Sequence, residues 1–272
     1  MNYLQFDFHS TNSSQSEQLI ALLSNQNFEG FEEDDDSLKA FIPENLFNEN
    51  EFAEIVKIFP SILYTRVSVE NINWNQQWES GFSPVTVGDF VAIRAGFHQP
   101  ITNVAHEIII TPKMSFGTGH HATTHMMVQQ MQHIDFANKS VLDFGTGTGV
   151  LAILAEKLGA SKVFAIDNDE WSITNTIENI EQNSCSKITV ELHNEIPKGT
   201  VYDVILANIN LNVILANLDS IATVAKTGTP VLLSGFLLEN EDRIKSSTAE
   251  AGFTYLSTVK KGDWIAVLIE KQ

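Results

Sequence analysis

The chain has 272 residues, enough for one large domain or two modest ones, and 43% of them are hydrophobic. Its 16 Lys and Arg face 34 Asp and Glu, and the resulting formal charge of −18 argues against a broad nucleic-acid footprint and suits a basic protein partner. A single cysteine, Cys185, excludes an intrachain disulfide framework, and we predict neither a signal peptide nor a membrane-spanning segment. We therefore expect a cytoplasmic protein that has no membrane partner and does not bind nucleic acid directly.

Residues 1–70 predict a small α+β domain with a β-α-β-β-α-β order of elements. Strands are expected over 4–8, 28–31, 39–42 and 62–67, with helices from near residue 14 and over 44–58. The acidic run 32–36 reads as a hairpin turn. This order is typical of a ferredoxin-like split βαβ unit. A linker over 71–83, with Trp74 and Trp78, is predicted to lead into a larger domain over 84–272.

The larger domain alternates short apolar strands with helical stretches, which predicts a parallel sheet with helices on both faces. Strands are expected over 141–143, 163–167, 188–192, 204–207 and 231–233. The end of the chain differs, because the strands over 253–258 and 264–269 are separated only by residues 259–263. The pattern predicts a Rossmann-like, doubly wound α/β sheet that ends in an antiparallel hairpin.

The segment Phe116–Thr124 precedes a predicted helix and is rich in glycine and threonine. Thr123 or Thr124 is predicted to cap that helix, or the whole segment forms a lid over a ligand. His121 and His125 lie one helical turn apart, but no acid or cysteine cluster accompanies them. We expect no metal site.

A buried strand ends at Asp143 and turns through Gly145, Gly147 and Gly149 into a helix. Glycines let the backbone approach a ligand closely, and the helix start offers free N–H groups. A dinucleotide fingerprint requires its third glycine at the position of Val150. A carboxylate at Asp143 repels a pyrophosphate and attracts an ammonium or sulfonium group. S-adenosylmethionine carries both cations and no phosphate, so the turn favours that cofactor.

Asp167 ends the next predicted strand, 22 residues after Gly145, where an acid meets a ribose diol in nucleotide-binding α/β folds. Taken alone, Asp167 is better explained as a cap of the following helix. Combined with the glycine turn, it favours a ribose-binding role.

Asn208 lies at the carboxyl end of the fourth strand, the edge at which open α/β sheets bind ligands. Residues 207–218 include no ionisable side chain, so an amine there would meet neutral amide oxygens. The alternative interpretation of Asn208 is a simple turn residue.

Together with the glycine turn, Asp167 and the Asn208-Ile209 pair, the pattern Phe116-Gly117-Thr118-Gly119-x-His121-x-Thr123-Thr124 is similar to that of the ribosomal protein L11 methyltransferase family (PrmA). The resemblance covers essentially the whole chain. It implies a class I methyltransferase fold and a small N-terminal domain that recognises the substrate. It also implies an enzyme that methylates lysine side-chain and N-terminal amines of ribosomal protein L11. The oligomeric state is open from the sequence, and our expectation is a monomer.

The resemblance implies S-adenosylmethionine contacts at Thr124, Gly145, Asp167 and Asn208. We predict from its place and chemistry that Asn208 is also the catalytic residue, since its side chain can accept hydrogen bonds from an attacking amine. The residues themselves add six further candidate cofactor contacts, namely Phe116, Gly117, Thr118, Gly119, Asp143 and Gly147. S-adenosylhomocysteine would be the product, and no metal is expected.

Three rival functions remain open at this point. Enzymes that methylate exocyclic amines of nucleic acids, or glutamine, usually show Asn-Pro-Pro-aromatic after the fourth strand, where this chain has Asn208-Ile209-Asn210-Leu211. Methylation of another protein is a variant of the main interpretation. A non-catalytic module on the same fold is the second rival, and a nicotinamide-dependent oxidoreductase is the third.

Overall fold

The chain divides into two units, Met1–Gly81 and Phe82–Gln272. The computed structural model describes residues 2–9, 13–34, 37–69, 82–113 and 115–272. Most of the predicted linker, including Trp74 and Trp78, lies outside these residues, as do Asp35 and Asp36 of the acidic run. No helix in the described ranges is both long enough and apolar enough to cross a membrane.

The first unit has the predicted β-α-β-β-α-β order. Its elements are β1 (Tyr3–His9), α1 (Ser13–Ser24), β2 (Gly30–Asp34), β3 (Ser37–Pro43), α2 (Glu49–Ile58) and β4 (Leu63–Val69). The strands form an antiparallel sheet in the order β2-β3-β1-β4, which is the ferredoxin-like arrangement. Helix α2 starts later than predicted, because Asn48 caps it by accepting hydrogen bonds from the backbone N–H groups of Asn50 and Glu51.

One face of this small sheet carries the core of the first unit. Leu4, Phe6 and Phe8 alternate along β1 and are buried. The ring of Phe6 lies 4.4 Å from that of Phe52 on α2, and Phe28 packs on the same cluster. The period-two pattern seen in the sequence therefore marks the buried face correctly.

The second unit contains the large sheet. Its strands are β5 (Val85–Val87), β6 (Val91–Ala95), β7 (His106–Ile110), β8 (Ser140–Phe144), β9 (Lys162–Asp167), β10 (Ile188–Leu192), β11 (Val204–Asn208), β12 (Pro230–Leu237), β13 (Phe253–Lys261) and β14 (Trp264–Lys271). Its helices are α3 (Ala122–Met131), α4 (Val150–Lys157), α5 (Glu170–Gln182), α6 (Leu211–Val224) and α7 (Glu241–Glu250). Seven strands follow the order β10-β9-β8-β11-β12-β14-β13.

The direction of the strands confirms the predicted fold class. Strands β8 to β12 run parallel to one another, whereas β14 is antiparallel to β12 and β13 is antiparallel to β14. The closing hairpin is tighter than predicted, since only Gly262 and Asp263 separate its strands. The sequence analysis missed the separate three-stranded sheet β5-β6-β7, whose strands are short.

Both faces of the large sheet are buried. Along β11, Val204 and Leu206 join one hydrophobic cluster while Ile205 and Ala207 join the other. Helices α3 and α4 contribute to the first cluster and α6 and α7 to the second. Burial on both sides explains why the parallel strands read as continuous apolar runs, and it leaves the carboxyl edge of the sheet as the exposed place for polar chemistry.

Candidate active site

A cavity of about 430 Å³ follows the carboxyl edge of the large sheet. It passes His193 after β10, Asp167 at the end of β9, Gly145 after β8, Asn208 at the end of β11 and Trp264 at the start of β14. Because β14 is antiparallel, its first residue reaches the same edge as the last residues of its parallel neighbours. The cavity has the size expected for a small organic ligand.

The glycine turn forms the middle of the cavity wall. Gly147 has φ +57°, and a Cβ there would overlap the carbonyl oxygen of Phe116. A Cβ on Gly145, with φ +78°, would run into the side chain of Ile209. The Phe116 carbonyl oxygen accepts a 2.9 Å hydrogen bond from the backbone N–H of Thr148. The turn therefore has no room for a side chain at either glycine, because its backbone packs directly against Phe116 and Ile209, which also line the cavity.

Three buried or half-buried asparagines at four-residue spacing, Asn175 and Asn179 on α5 and Asn183 directly after it, connect α5 to the backbone around the turn. The amide of Asn179 accepts from the N–H of Thr111 at 2.7 Å and donates to the carbonyl oxygen of Thr148 at 2.8 Å. Asn183 likewise both donates to and accepts from the backbone of β7. These amides tie the glycine turn to the chain that leads towards Phe116.

Asp167 does not cap the following helix. That role belongs to Asp169, whose carboxylate accepts from the backbone N–H groups of Trp171 and Ser172. The Asp167 carboxylate accepts a 2.9 Å hydrogen bond from the N–H of Gly147 and a 3.1 Å bond from that of Asp169. It lines the cavity at the tip of β9, as the ribose assignment requires.

Asp167→Asn should weaken S-adenosylmethionine binding about ten- to hundredfold, because a hydroxyl bound to a carboxylate is worth more than one bound to a neutral amide. Calorimetry gives the affinity directly. Asp169→Asn is the matched control, since asparagine caps helices as well as aspartate does and Asp169 lies outside the cavity wall. Equal affinities for the Asp167 variant and the unmodified protein would refute the ribose assignment.

Asp143 lies behind the glycine turn and has no exposed surface. One carboxylate oxygen accepts a 2.7 Å bond from the hydroxyl of Thr146, and the other has no partner in the described part of the chain. Burial raises the pKa of Asp143 to about 7, and the charge of Asp167 adds to that rise while the Thr146 bond opposes it. Asp143 was predicted to contact the cofactor, but the structure places it outside the cavity wall.

Binding of S-adenosylmethionine should weaken as the pH falls from 8 to 6. The cationic ligand favours the Asp143 carboxylate, which is lost below a pKa of about 7. If binding lowers that pKa by one unit, the affinity falls about fivefold between pH 8 and 6, out of a limiting tenfold. S-adenosylhomocysteine, which lacks the sulfonium charge, should show a smaller dependence. Calorimetry across this range tests the effect, and a dependence that persists unchanged in Asp143→Asn would assign it to another group.

Asn208 is about nine-tenths buried at the end of β11. Its amide nitrogen donates a 3.2 Å hydrogen bond to the hydroxyl of Thr124. Its side-chain oxygen, Oδ1, has no partner among the described residues, and Asn208 lines the cavity. Thr124 thus lies behind Asn208 and orients it, and an unpaired buried acceptor is left for a ligand to satisfy.

The segment that begins at Phe116 closes one side of the cavity. Phe116 and His121 line it, whereas Gly117, Thr118 and Gly119 do not. The predicted threonine caps are wrong: His121 caps α3, and its Nδ1 accepts from the backbone N–H of Thr123. An imidazole placed just before a helix can accept in the same way as a carboxylate, which the sequence analysis did not consider.

Of the ten predicted site residues, the structure brings five together in the cavity wall, namely Phe116, Gly145, Gly147, Asp167 and Asn208. The sequence analysis missed Trp264, His121, Ile209 and His193. Trp264 could be placed only from the hairpin register, and the spacing of the α5 asparagines was the overlooked signal for the supporting amides. The described residues contain no group of three or more His, Cys, Asp or Glu suited to a metal ion.

Comparisons with known protein families and with known relatives point to the same family and cover nearly the whole chain. The family model described as ribosomal protein L11 methyltransferase (PrmA) matches residues 6–272. The protein named ribosomal protein L11 methyltransferase from Phocaeicola vulgatus is 38% identical to this chain over 276 residues, and the alignment covers 98% of both chains. The one from Chlorobaculum tepidum is 38% identical over 284 residues, covering 99% of this chain and 96% of the relative.

Solved structures agree with these matches. The crystal structure of ribosomal protein L11 methylase from Lactobacillus delbrueckii subsp. bulgaricus has a TM-score of 0.65 at 27% identity, covering 70% of this chain and 100% of that one. A putative RNA methyltransferase from Pyrococcus horikoshii has a TM-score of 0.50 at 20% identity, covering 59% of this chain and 90% of that one. The latter likeness shows the fold alone.

Proposed function

The chain belongs to the ribosomal protein L11 methyltransferase family, and we propose that it transfers methyl groups from S-adenosylmethionine to lysine side-chain and N-terminal amines of ribosomal protein L11. One observation carries the proposal in this chain. The cavity combines a carboxylate suited to a ribose, Asp167, with the unpaired amide oxygen of Asn208 further along the same edge.

The order of the strands orients the cofactor. Asp167 lies between His193 on one side and the glycine turn on the other, so we assign the β10 side to the adenine base. The opposite side, from the glycine turn to Asn208 and Trp264, is left for the amino-acid part and the incoming amine. The bare backbone at Gly145 and Gly147 and the free oxygen of Asn208 fit this occupant. When bound, S-adenosylmethionine supplies a methyl group that its sulfonium makes electrophilic.

Asn208 suits an amine acceptor because a lysine must lose its proton before it reacts. With a reference pKa near 10.4, holding lysine neutral at pH 7 costs about 4–5 kcal/mol. A carboxylate beside the amine would stabilise the ammonium and increase that cost. Residues 207–218 contain no ionisable side chain, and the neutral Oδ1 of Asn208 can accept an N–H and orient the lone pair. Alignment and exclusion of water then supply much of the rate.

The charge of the first unit supports its proposed role in recognising a basic protein. Residues 1–81 contain 14 acidic and 3 basic side chains, against 20 and 13 in residues 82–272. Each of the 3 basic side chains is already paired with a glutamate of the same unit, in the ion pairs Lys39–Glu32, Lys57–Glu54 and Arg66–Glu49. The remaining acidic groups attract cations over a distance and would steer a basic ribosomal protein.

We place the reaction in the cytoplasm, where ribosomal proteins are made, and we expect the enzyme to work as a monomer. Every described residue that lines the cavity belongs to Phe82–Gln272, which supports a site formed by one chain. Methylation of a nucleic acid is disfavoured by the net charge of −18 and by the Asn208-Ile209-Asn210-Leu211 sequence.

Incubation of the full chain with S-adenosylmethionine and purified ribosomal protein L11 tests the proposal by intact mass. We expect discrete increments of one methyl group on the protein, and none when the cofactor is omitted. Parallel reactions with ribosomal RNA and with another basic ribosomal protein define the substrate. Labelling of RNA alone, or cofactor binding without transfer to any amine, would overturn the proposal in favour of a nucleic-acid enzyme or a non-catalytic module.

A further inference from the structure

The proposed cofactor ends in an amino acid, and its carboxylate needs a hydrogen-bond donor. No lysine or arginine lines the described cavity, and its ionisable side chains are His121, Asp167 and His193. An aspartate repels a carboxylate, so the two histidines are the only ionisable side chains of the described cavity wall that can donate a hydrogen bond, and Trp264 adds an uncharged indole N–H.

His193 lies on the side of the cavity assigned to the adenine base, and its side chain is already paired with a glutamate. It follows β10, beyond the ribose carboxylate of Asp167, and its Nε2 is paired with Glu191 at 2.8 Å. His121 instead belongs to the side that contains Asn208 and Trp264, where the amino-acid part is expected.

The hydrogen bonds of His121 fix which ring nitrogen carries the proton. Its Nδ1 accepts from the backbone N–H of Thr123 at 3.3 Å and lies 2.8 Å from the hydroxyl of the same residue. A backbone N–H can only donate, so Nδ1 must be unprotonated while it caps α3. The proton of the neutral ring therefore resides on Nε2, which has no hydrogen-bond partner in the described part of the chain.

Two aromatic neighbours hold the ring in one orientation. Phe116 and Trp264 pack edge-to-face on it, with ring centroids 5.1 Å and 4.6 Å away. The helix cap at one nitrogen and these contacts at the ring faces leave Nε2–H as a fixed donor. The arrangement also excludes His121 as a general base, because taking a proton at Nδ1 would break the cap.

We infer that His121 is a cofactor-binding residue whose Nε2–H donates to the carboxylate of the amino-acid part of S-adenosylmethionine. The inference rests on the proposed cofactor. The Phe116–Thr124 segment then has a function beyond that of a lid. Its His121 both binds the amino-acid end of the cofactor and caps the start of α3. Thr124, the residue after the capped N–H of Thr123, then orients Asn208, so anion binding and amine orientation share one helix start.

His121→Asn tests the inference, because asparagine can still cap α3 but is too short to replace Nε2. Calorimetry should show about a ten- to hundredfold weaker affinity for S-adenosylmethionine, the range for a hydrogen bond to a charged group. Decarboxylated S-adenosylmethionine should bind the variant and the unmodified protein equally well. His120→Asn is the matched control, since His120 bonds to Ser83 and lies outside the cavity wall.

Each result has a distinct meaning. An equal loss for both ligands would make His121 a purely structural cap, and no loss for either would place the carboxylate elsewhere; both overturn the inference. Failure of the unmodified protein to bind S-adenosylmethionine at all would instead overturn the proposed function.

Discussion

Asn208→Ala should lower kcat for methyl transfer about hundredfold, the scale of losing one preorganised hydrogen-bonding group at a reacting centre. The change in Kd for S-adenosylmethionine should be much smaller. The reason is geometric: Oδ1 of Asn208 is buried, unpaired and on the amine side of the cavity, while the ribose carboxylate and the glycine turn stay intact. Single-turnover rates and calorimetry separate the two quantities.

Asn217→Ala provides the control for this substitution. Asn217 is a half-buried residue of α6 outside the cavity wall, and among the described residues its side chain bonds to the backbone of Val213 one turn earlier, so both kcat and Kd should stay unchanged. Equal losses of kcat and affinity in Asn208→Ala would make Asn208 a binding residue only, and would leave the orientation of the amine to backbone carbonyls.

Gly147→Ala should abolish measurable cofactor binding and lower the melting temperature. Its φ of +57° costs a side-chain residue about 1 kcal/mol or more by itself. The new Cβ would also overlap the Phe116 carbonyl oxygen, which is backbone and is held by the N–H of Thr148. The turn must therefore shift, which moves the N–H that supports Asp167.

Gly88→Ala separates the cost of the positive φ from the cost of the steric overlap. Gly88 has nearly the same φ, +56°, but a Cβ there meets nothing within 4 Å. It should lose about 1 kcal/mol of stability and retain full cofactor affinity. If Gly147→Ala bound S-adenosylmethionine as well as Gly88→Ala does, the glycine turn would not be part of the cofactor site. Thermal unfolding and calorimetry on the two variants decide this.

Much of the fold was predictable because the strands of the large sheet are buried on both faces and stand out as short apolar runs. The alternation of Leu4, Phe6 and Phe8 likewise located the core of the first unit. Local signals failed where a competing interaction sets the boundary. Asn48 delays the start of α2, and β13 continues to Lys261 because cross-strand pairing extends beyond the apolar residues.

Site residues could be predicted from the sequence where they stand at the end of a parallel strand. They could not be predicted where tertiary packing brings them to the cavity or keeps them from it. Asp167 and Asn208 follow strands of a parallel sheet, so their shared edge can be deduced from the sequence. Trp264 reaches that edge only because β14 is antiparallel, and Asp143 is kept from it by the turn that packs over it. Neither fact has a local sequence signature.

A crystal structure of the full chain with S-adenosylhomocysteine tests the central claim most directly, namely that one cavity along the sheet edge binds the cofactor and presents its methyl group beside Asn208. We expect the ribose hydroxyls within hydrogen-bonding distance of Asp167, the adenine towards His193, and the sulfur facing the Asn208 and Trp264 side. A product molecule bound in the reverse direction, or with its ribose away from Asp167, would contradict this assignment.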